Sequence, residues 1–277
     1  MISVIMPFHN EETHIARAIQ SCLDISAITE LILIDDGSTD RSVEVLSNFH
    51  DHRLLLLHHQ DGLQKGRSAS RNLGILRATQ PWIAFCDADD YYLPNRFAHL
   101  TWAENIQGYY DDIISESSGE RMTNQDVTGI PTDLLPEQVA DYLISHQENR
   151  ISLLGLVVRR EALLQQELFD TTLLTGEDTD LIWRLALRTT LQHGNSTSPV
   201  AIRGVDGSNV YLNEVRHIAD KYAFYQKWYA LLPELVLSSK GKQRITDAYL
   251  YYYVEHRMHR FPLWMRRLFR RILNVMS

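Results

Sequence analysis

Carboxylates in this chain recur where short apolar runs end. Asp87 and Asp89 stand two residues apart after the run 82–86. Side chains at that spacing converge on one hard divalent cation if the chain turns, and Mg2+ and Mn2+ take oxygen ligands together with a substrate's phosphates. An acidic turn would place the same residues here, with Asp90 capping a following helix. Asp35 and Asp36 open the stretch Asp35-Asp36-Gly37-Ser38-Thr39-Asp40 after the run 30–34. Ser38 or Asp40 suffices to cap the next helix. The aspartate pair is left over, able to accept hydrogen bonds from a base or a ribose.

Gly66-Arg67-Ser68-Ala69-Ser70-Arg71-Asn72 opens a helical pattern. Backbone N–H groups and the dipole favour an anion at such a start, and Arg67 or Arg71 adds charge-assisted bonds to a phosphate. Solvated arginines would fit the same pattern. Neither a G-K-[ST] nor a G-x-G-x-x-G phosphate loop occurs. Gly176-Glu177-Asp178-Thr179-Asp180 precedes the amphipathic stretch 181–188. Those acids complement a helix start, or one of them is a general base that takes a proton from a hydroxyl.

The elements that must position these groups alternate. Residues 2–6, 30–34, 53–57 and 82–86 read as strands, and 11–23, 40–49 and 66–77 as helices. That alternation predicts an α/β fold with a parallel sheet and helices on both faces. Leu54-Leu55-Leu56-Leu57 fits a strand buried on both sides. Ligand crevices in such sheets lie beyond the carboxyl ends of the strands, where Pro7-Phe8-His9-Asn10-Glu11, Asp35–Asp36 and Asp87–Asp89 fall. Further on, an edge strand is expected near Ile113-Ile114 and an apolar strand within 151–158. A hairpin is expected around Asp206-Gly207, with arms at 200–202 and 210–212. Helices follow from Glu214 to the end.

Composition narrows the class. With 277 residues, 44% of them hydrophobic, the chain can bury a sizeable core. Two cysteines, Cys22 and Cys86, make neither a disulfide scaffold nor a zinc site, so a reducing cytoplasm is expected. The first residues lack the features of a signal peptide, and no apolar run reaches the ~20 residues that cross a bilayer. The net charge of −8 is uneven: residues 211–277 carry 12 Lys and Arg against 5 Asp and Glu, and the rest carries 15 against 30. An acidic body with a basic tail predicts a tail that meets an anionic surface. After Pro262, apolar residues at helical spacing are interrupted by Arg266, Arg267, Arg270 and Arg271, the pattern of a helix lying in a lipid headgroup region. The same helix could instead pack its apolar face on the body.

Taken together these motifs resemble the family 2 glycosyltransferases with the GT-A fold, a Rossmann-like, mostly parallel central sheet with helices on both faces. The matching stretches run in the family's order: 4–11, 35–40, Gly66 with 69–72, 87–89 and 176–178. They cover about the first 200 residues. The expected organisation is a catalytic domain over 1–213, followed by a helical, basic extension over 214–277. Within the catalytic domain, residues 1–107 would bind the nucleotide-sugar and residues 108–213 the acceptor. The resemblance implies an inverting transfer from a nucleoside-diphosphate sugar, a UDP-sugar foremost, to an acceptor hydroxyl on a glycan or lipid-linked acceptor. It implies a divalent cation, Mn2+ or Mg2+, held by Asp89 with Asp87. Pro7, Phe8, His9, Glu11, Asp35, Asp36, Arg67, Arg71, Asp87 and Ala88 would bind the nucleotide. Asp178 would be the base, with Glu177 as the alternative. A peripheral membrane contact through the C-terminal helix is expected, and no nucleic-acid partner. Two other classes share elements of this pattern. A nucleotidyltransferase would carry a Gly-rich basic loop straight after the first strand, where this chain has Pro7-Phe8-His9. A non-catalytic nucleotide-sugar-binding protein would not need Asp89 and Asp178.

Overall fold

The computed structural model describes residues 1–117, 120–121, 129–146, 150–204 and 214–258. The first half is β1 (Ile2–Phe8), α1 (Ile15–Leu23), β2 (Ile28–Asp35), α2 (Ser42–Leu46), β3 (Leu54–His58), α3 (Arg67–Arg77) and β4 (Trp82–Phe85). β1 pairs in parallel with β2 and β4, and β2 with β3. Side chains of β1 alternate between two cores: Val4 and Met6 face the α1 side, and Ile5 faces the other. In α1 the buried Ile15, Ala18, Ile19 and Cys22 form the stripe that a helix lays on a sheet. In α3 the buried positions are Ser68, Ser70, Arg71, Gly74 and Ile75, so its inward stripe carries a cation.

The second half adds β5 (Tyr91–Tyr92), β6 (Gly108–Tyr110), β7 (Ile114–Ser117), β8 (Glu120–Arg121), α4 (Pro136–Ser145), β9 (Leu156–Arg159) and α5 (Arg160–Leu164). It continues with α6 (Glu177–Arg188), β10 (Leu191–His193), β11 (Ala201–Gly204), α7 (Glu214–Leu231) and α8 (Ser239–Met258). The main sheet has the order β10-β6-β9-β4-β1-β2-β3, and β5-β11-β7-β8 form a second sheet. Strand β9 runs antiparallel to both β4 and β6, so the sheet is mostly parallel with one reversed member.

Several expectations shift. β3 is half-buried rather than covered on both faces, because it is the sheet edge and pairs only with β2. The helix expected over 40–49 forms only as α2, and that expected from Glu11 starts at Ile15. The strand at Ile114 belongs to the second sheet, while β6 supplies the main one. The run 151–158 divides into a 3-10 turn, Leu153–Gly155, and β9. Strand β11 pairs in parallel with β7 and antiparallel with β5, and the other arm expected for its hairpin lies outside the described residues. So does the arginine-rich helix expected after Pro262. No described helix is long and apolar enough to cross a membrane.

α7 does not stand apart from the body. Trp183 of α6 meets Phe224 and Trp228 of α7 at ring distances of 5.2 and 5.1 Å, inside the same hydrophobic cluster. Beneath them, the buried Asp180 accepts from Arg184 Nε at 2.9 Å and Trp228 Nε1 at 3.1 Å. Lys227 bridges Asp180 and Asp170 at 3.0 and 2.9 Å. One acid of the 176–180 cluster is thereby consumed in fastening α6 to α7.

Candidate functional site

The chain turns from β3 back across to β4, which makes β1 and β4 the switch point of the sheet. A crevice opens there, beyond the carboxyl ends of the strands. Phe8 is in register with Asp35, so the loops after β1 and β2 emerge side by side. They clamp one another. Asn10 Oδ1 accepts from Thr39 N at 2.7 Å, Ser42 Oγ accepts from Glu11 N at 2.7 Å, and His9 Nδ1 donates to Asp36 O at 3.0 Å. Asp35 lies below this rim. It accepts from Ser38 N at 2.8 Å and pairs with His58 at 3.3 Å, so it shapes the turn.

Asp36 does something the sequence did not indicate. Its carboxylate accepts backbone N–H from Lys65 at 2.7 Å and from Gly66 at 2.9 Å, at the start of α3. An anion was expected at that helix start, and the protein seats one of its own there. Gly66 has φ +86°, a conformation side chains resist, which turns its N–H toward Asp36. His59 adds a contact to Asp36 at 3.3 Å and to Ser70 Oγ at 2.9 Å. His59 follows β3 as the other clusters follow their strands, and that position was the signal available for it.

Arg71, 3% exposed, is the centre of an ion network. Its Nη2 reaches both oxygens of Asp87 at 2.8 Å, and its Nη1 reaches Glu177 at 3.2 Å. Arg67 Nε meets the same Glu177 at 2.5 Å. Burial opposes the charge on Arg71, but Asp87 and Glu177 outweigh it and hold the guanidinium above its ordinary pKa. Enclosure pushes Asp87 up, and Arg71 more than offsets it, so that carboxylate stays below the usual range. Burial and then Asp178 push Glu177 the other way, upward, against both arginines. The network joins the end of β4, the start of α3 and the start of α6. Asn72 makes a second tie, exchanging two 2.9 Å hydrogen bonds with the backbone of Phe169.

These residues border a cleft of about 580 Å³. One wall is Pro7, Phe8, His9, Glu11, Asp36 and residues 64–68; the floor is Asp87, Ala88 and Asp89. The far wall is Thr171, residues 173–175 and, from α7, His217 and Asp220. Of the residues expected at the nucleotide, Pro7, Phe8, His9, Glu11, Asp36, Arg67, Asp87 and Ala88 border the cleft; Asp35 and Arg71 sit behind it. Sequence reasoning missed residues 171–175 and α7 as cleft walls, since nothing local marks them.

The three aspartates after β4 divide by partner. Asp87 is taken by Arg71. Asp90 caps no helix; it is buried, accepts from Gly204 N at 3.0 Å, and is pushed well up by burial and by Asp89 and Asp87. Asp89 borders the cleft, half-buried. No group of three or more His, Cys, Asp or Glu side chains suited to a metal converges among the described residues. A cation here would therefore draw on Asp89 and on oxygens of a bound diphosphate, a donor set that suits Mg2+ or Mn2+. Asp178, half-exposed, stands in the first turn of α6 beside Glu177 and accepts from Thr179 N at 2.7 Å.

The strand order and the switch-point crevice, with Asp87, Ala88 and Asp89 on its floor and Arg67 on its border, are those of an α/β fold of the GT-A type. Residues 3–114 match the model of Glycosyl transferase family 2. An uncharacterized glycosyltransferase of Haemophilus influenzae is 29% identical over 173 residues, 59% of this chain and 64% of that protein. The succinoglycan biosynthesis protein ExoU of Rhizobium meliloti is 30% identical over 196 residues, 66% of this chain and 56% of ExoU. The chain thus spans under two-thirds of either relative. Staphylococcus aureus TarS 1-349, solved in complex with UDP-GlcNAc, superposes with a TM-score of 0.65 at 15% identity, over 92% of this chain and 72% of that one. Residues 3–114 are thus similar to the family 2 glycosyltransferases, over about two-fifths of the chain.

Proposed function

We propose that the protein transfers a sugar from a UDP-sugar to an acceptor hydroxyl, with inversion, in the assembly of a cell-surface polysaccharide or glycolipid. The observation that carries this is the placement of α6 against the strand-end cleft. The Arg71–Glu177–Arg67 network holds the Asp178 turn beside the Asp87–Asp89 floor. The nucleoside lies along the wall of Pro7, His9 and Glu11, with the loop held by Asp36 as its border. The diphosphate lies over the floor, where Arg67 opposes the charge that grows as it leaves. The acceptor oxygen attacks the anomeric carbon from the opposite face, the bond to the diphosphate breaks, and Asp178 takes the acceptor's proton. Asp89 would hold a divalent cation, which would supply Lewis-acid stabilisation of the departing diphosphate. UDP is supported by the UDP-GlcNAc complex of the structurally similar TarS, and polysaccharide assembly by the likeness to ExoU.

The test is release of nucleoside diphosphate from UDP-sugars. It is expected to need Mn2+ or Mg2+, to stop with EDTA, and to be lost in Asp89→Ala while the variant stays folded. Full turnover in EDTA sinks the metal assignment.

The basic segment beyond α8 supports a peripheral contact with an anionic membrane, at the cytoplasmic face. Each Arg near such a surface adds on the order of 1 kcal/mol. The full chain is expected to float with anionic but not neutral liposomes at low salt, and a chain ending at Glu255 is expected to stay behind. Equal flotation of the two overturns the contact.

A further inference from the structure

The wall that α7 contributes differs chemically from the rest of the cleft. Its cleft-facing residues, His217 and Asp220, are three apart and so share one helix face. Asp220 Oδ2 is buried and accepts no hydrogen bond from the described residues. An oxygen in that state is costly to bury until a donor reaches it. Burial, then Lys221, holds the His217 imidazole below its ordinary pKa, against the pull of Asp220. The ring is therefore neutral at pH 7 and offers one N–H and one lone pair. Lys221 sits 5.8 Å from the centre of the Phe224 ring, and burial holds its ammonium below its ordinary pKa, against the pull of Asp178 and Glu177.

A carboxylate beside a neutral imidazole repels phosphate and suits hydroxyls. The carboxylate accepts from them, and the ring can both give and take a hydrogen bond. Arg67 also borders the cleft, and its guanidinium suits anions. A molecule that fills the cleft is sorted by these groups, its phosphates toward Arg67 and its polyol toward α7.

We propose that His217 and Asp220 bind ring hydroxyls of the donor's sugar and set which sugar is accepted. The inference rests on the nucleotide-sugar reading above and adds specificity residues from a helix outside the stretch matched by the family model. It is tested by calorimetry on the full chain with Mn2+, using UDP, UDP-glucose, UDP-galactose, UDP-GlcNAc and GDP-mannose as probes. The parent is compared with His217→Ala, Asp220→Ala and the shape-conserving Asp220→Asn, each checked for folding by circular dichroism. The expected result is UDP affinity within about twofold of the parent. Affinity for the parent's preferred UDP-sugar falls about tenfold or more, the scale of one hydrogen bond to a charged group, and discrimination among the sugars flattens. Unchanged sugar preference in the folded variants overturns the inference and leaves the donor reading intact. A fall in UDP affinity of the same size also overturns it, since the wall would then serve the nucleotide or the fold. A parent that binds none of the five probes overturns both.

Discussion

Asp178→Asn is expected to lower kcat by about 10²–10⁴-fold while donor affinity stays within a few fold, the signature of a lost general base. Two carboxylates at the start of α6 compete for that role, and their surroundings separate them. Glu177 is 2% exposed and clamped between Arg67 and Arg71. Its oxygens are committed, and an acceptor hydroxyl cannot reach it without dismantling the network. Asp178 is half-exposed, in the first turn of α6. Glu177 and Asp178 are consecutive positions of α6, about 100° apart around the helix axis, so the two carboxylates point to different places. Single-turnover rates and UDP-sugar binding on both variants decide the assignment. Near-parental turnover in Asp178→Asn beside an inactive, folded Glu177→Gln would reverse it.

Arg71→Met is expected to cost about 3–5 kcal/mol of folding stability, as when one partner of a buried ion pair is removed and its counter-charges stay behind. Met replaces the aliphatic stem, so most of the loss is electrostatic. Asp87 and Glu177 would then confront each other without the cation that bridges them. The comparison that isolates the effect is Arg67→Ala. The Arg67 side chain is 43% exposed, and solvent screening limits its pair with Glu177 to about 0–1 kcal/mol. Urea unfolding of both variants gives the contrast, and equal midpoint shifts would refute it. The sign with pH follows from Asp87, whose folded-state pKa is depressed: the contribution of its pairing is present above the ordinary carboxylate range and disappears as pH falls through the lowered value. In Arg71→Met the acid-induced loss of stability is expected to be correspondingly shallower.

The amino-acid pattern by itself determined the alternation of β1 through β4 with α1 and α3. Each of those elements buries a face, and burial writes a period into the sequence that is legible locally. It also marked the strand ends at Pro7–Glu11, Asp35–Asp36 and Asp87–Asp89, because polar clusters that interrupt apolar runs have few other places to go in a parallel sheet. What it could not determine is which charged groups satisfy one another. Asp36 was read as a partner for a ligand; it borders the cleft, and its carboxylate also holds the turn into α3. Arg67 or Arg71 was read as facing a phosphate; Arg71 lies on the buried stripe of α3, its charge taken up by Asp87 after β4 and Glu177 from α6, 16 and 106 residues away in sequence. The reversed strand β9 was equally invisible, since an apolar run has the same composition in either direction. The α7 wall depends on Phe224 and Trp228 docking against Trp183, contacts more than 40 residues apart in the chain. Local spacing encodes the period of an element and the position of its ends. The partner of a buried charge and the direction of a strand are settled only when distant segments pack, because the cost of leaving a charge or a backbone group unpaired arises only once water has been excluded.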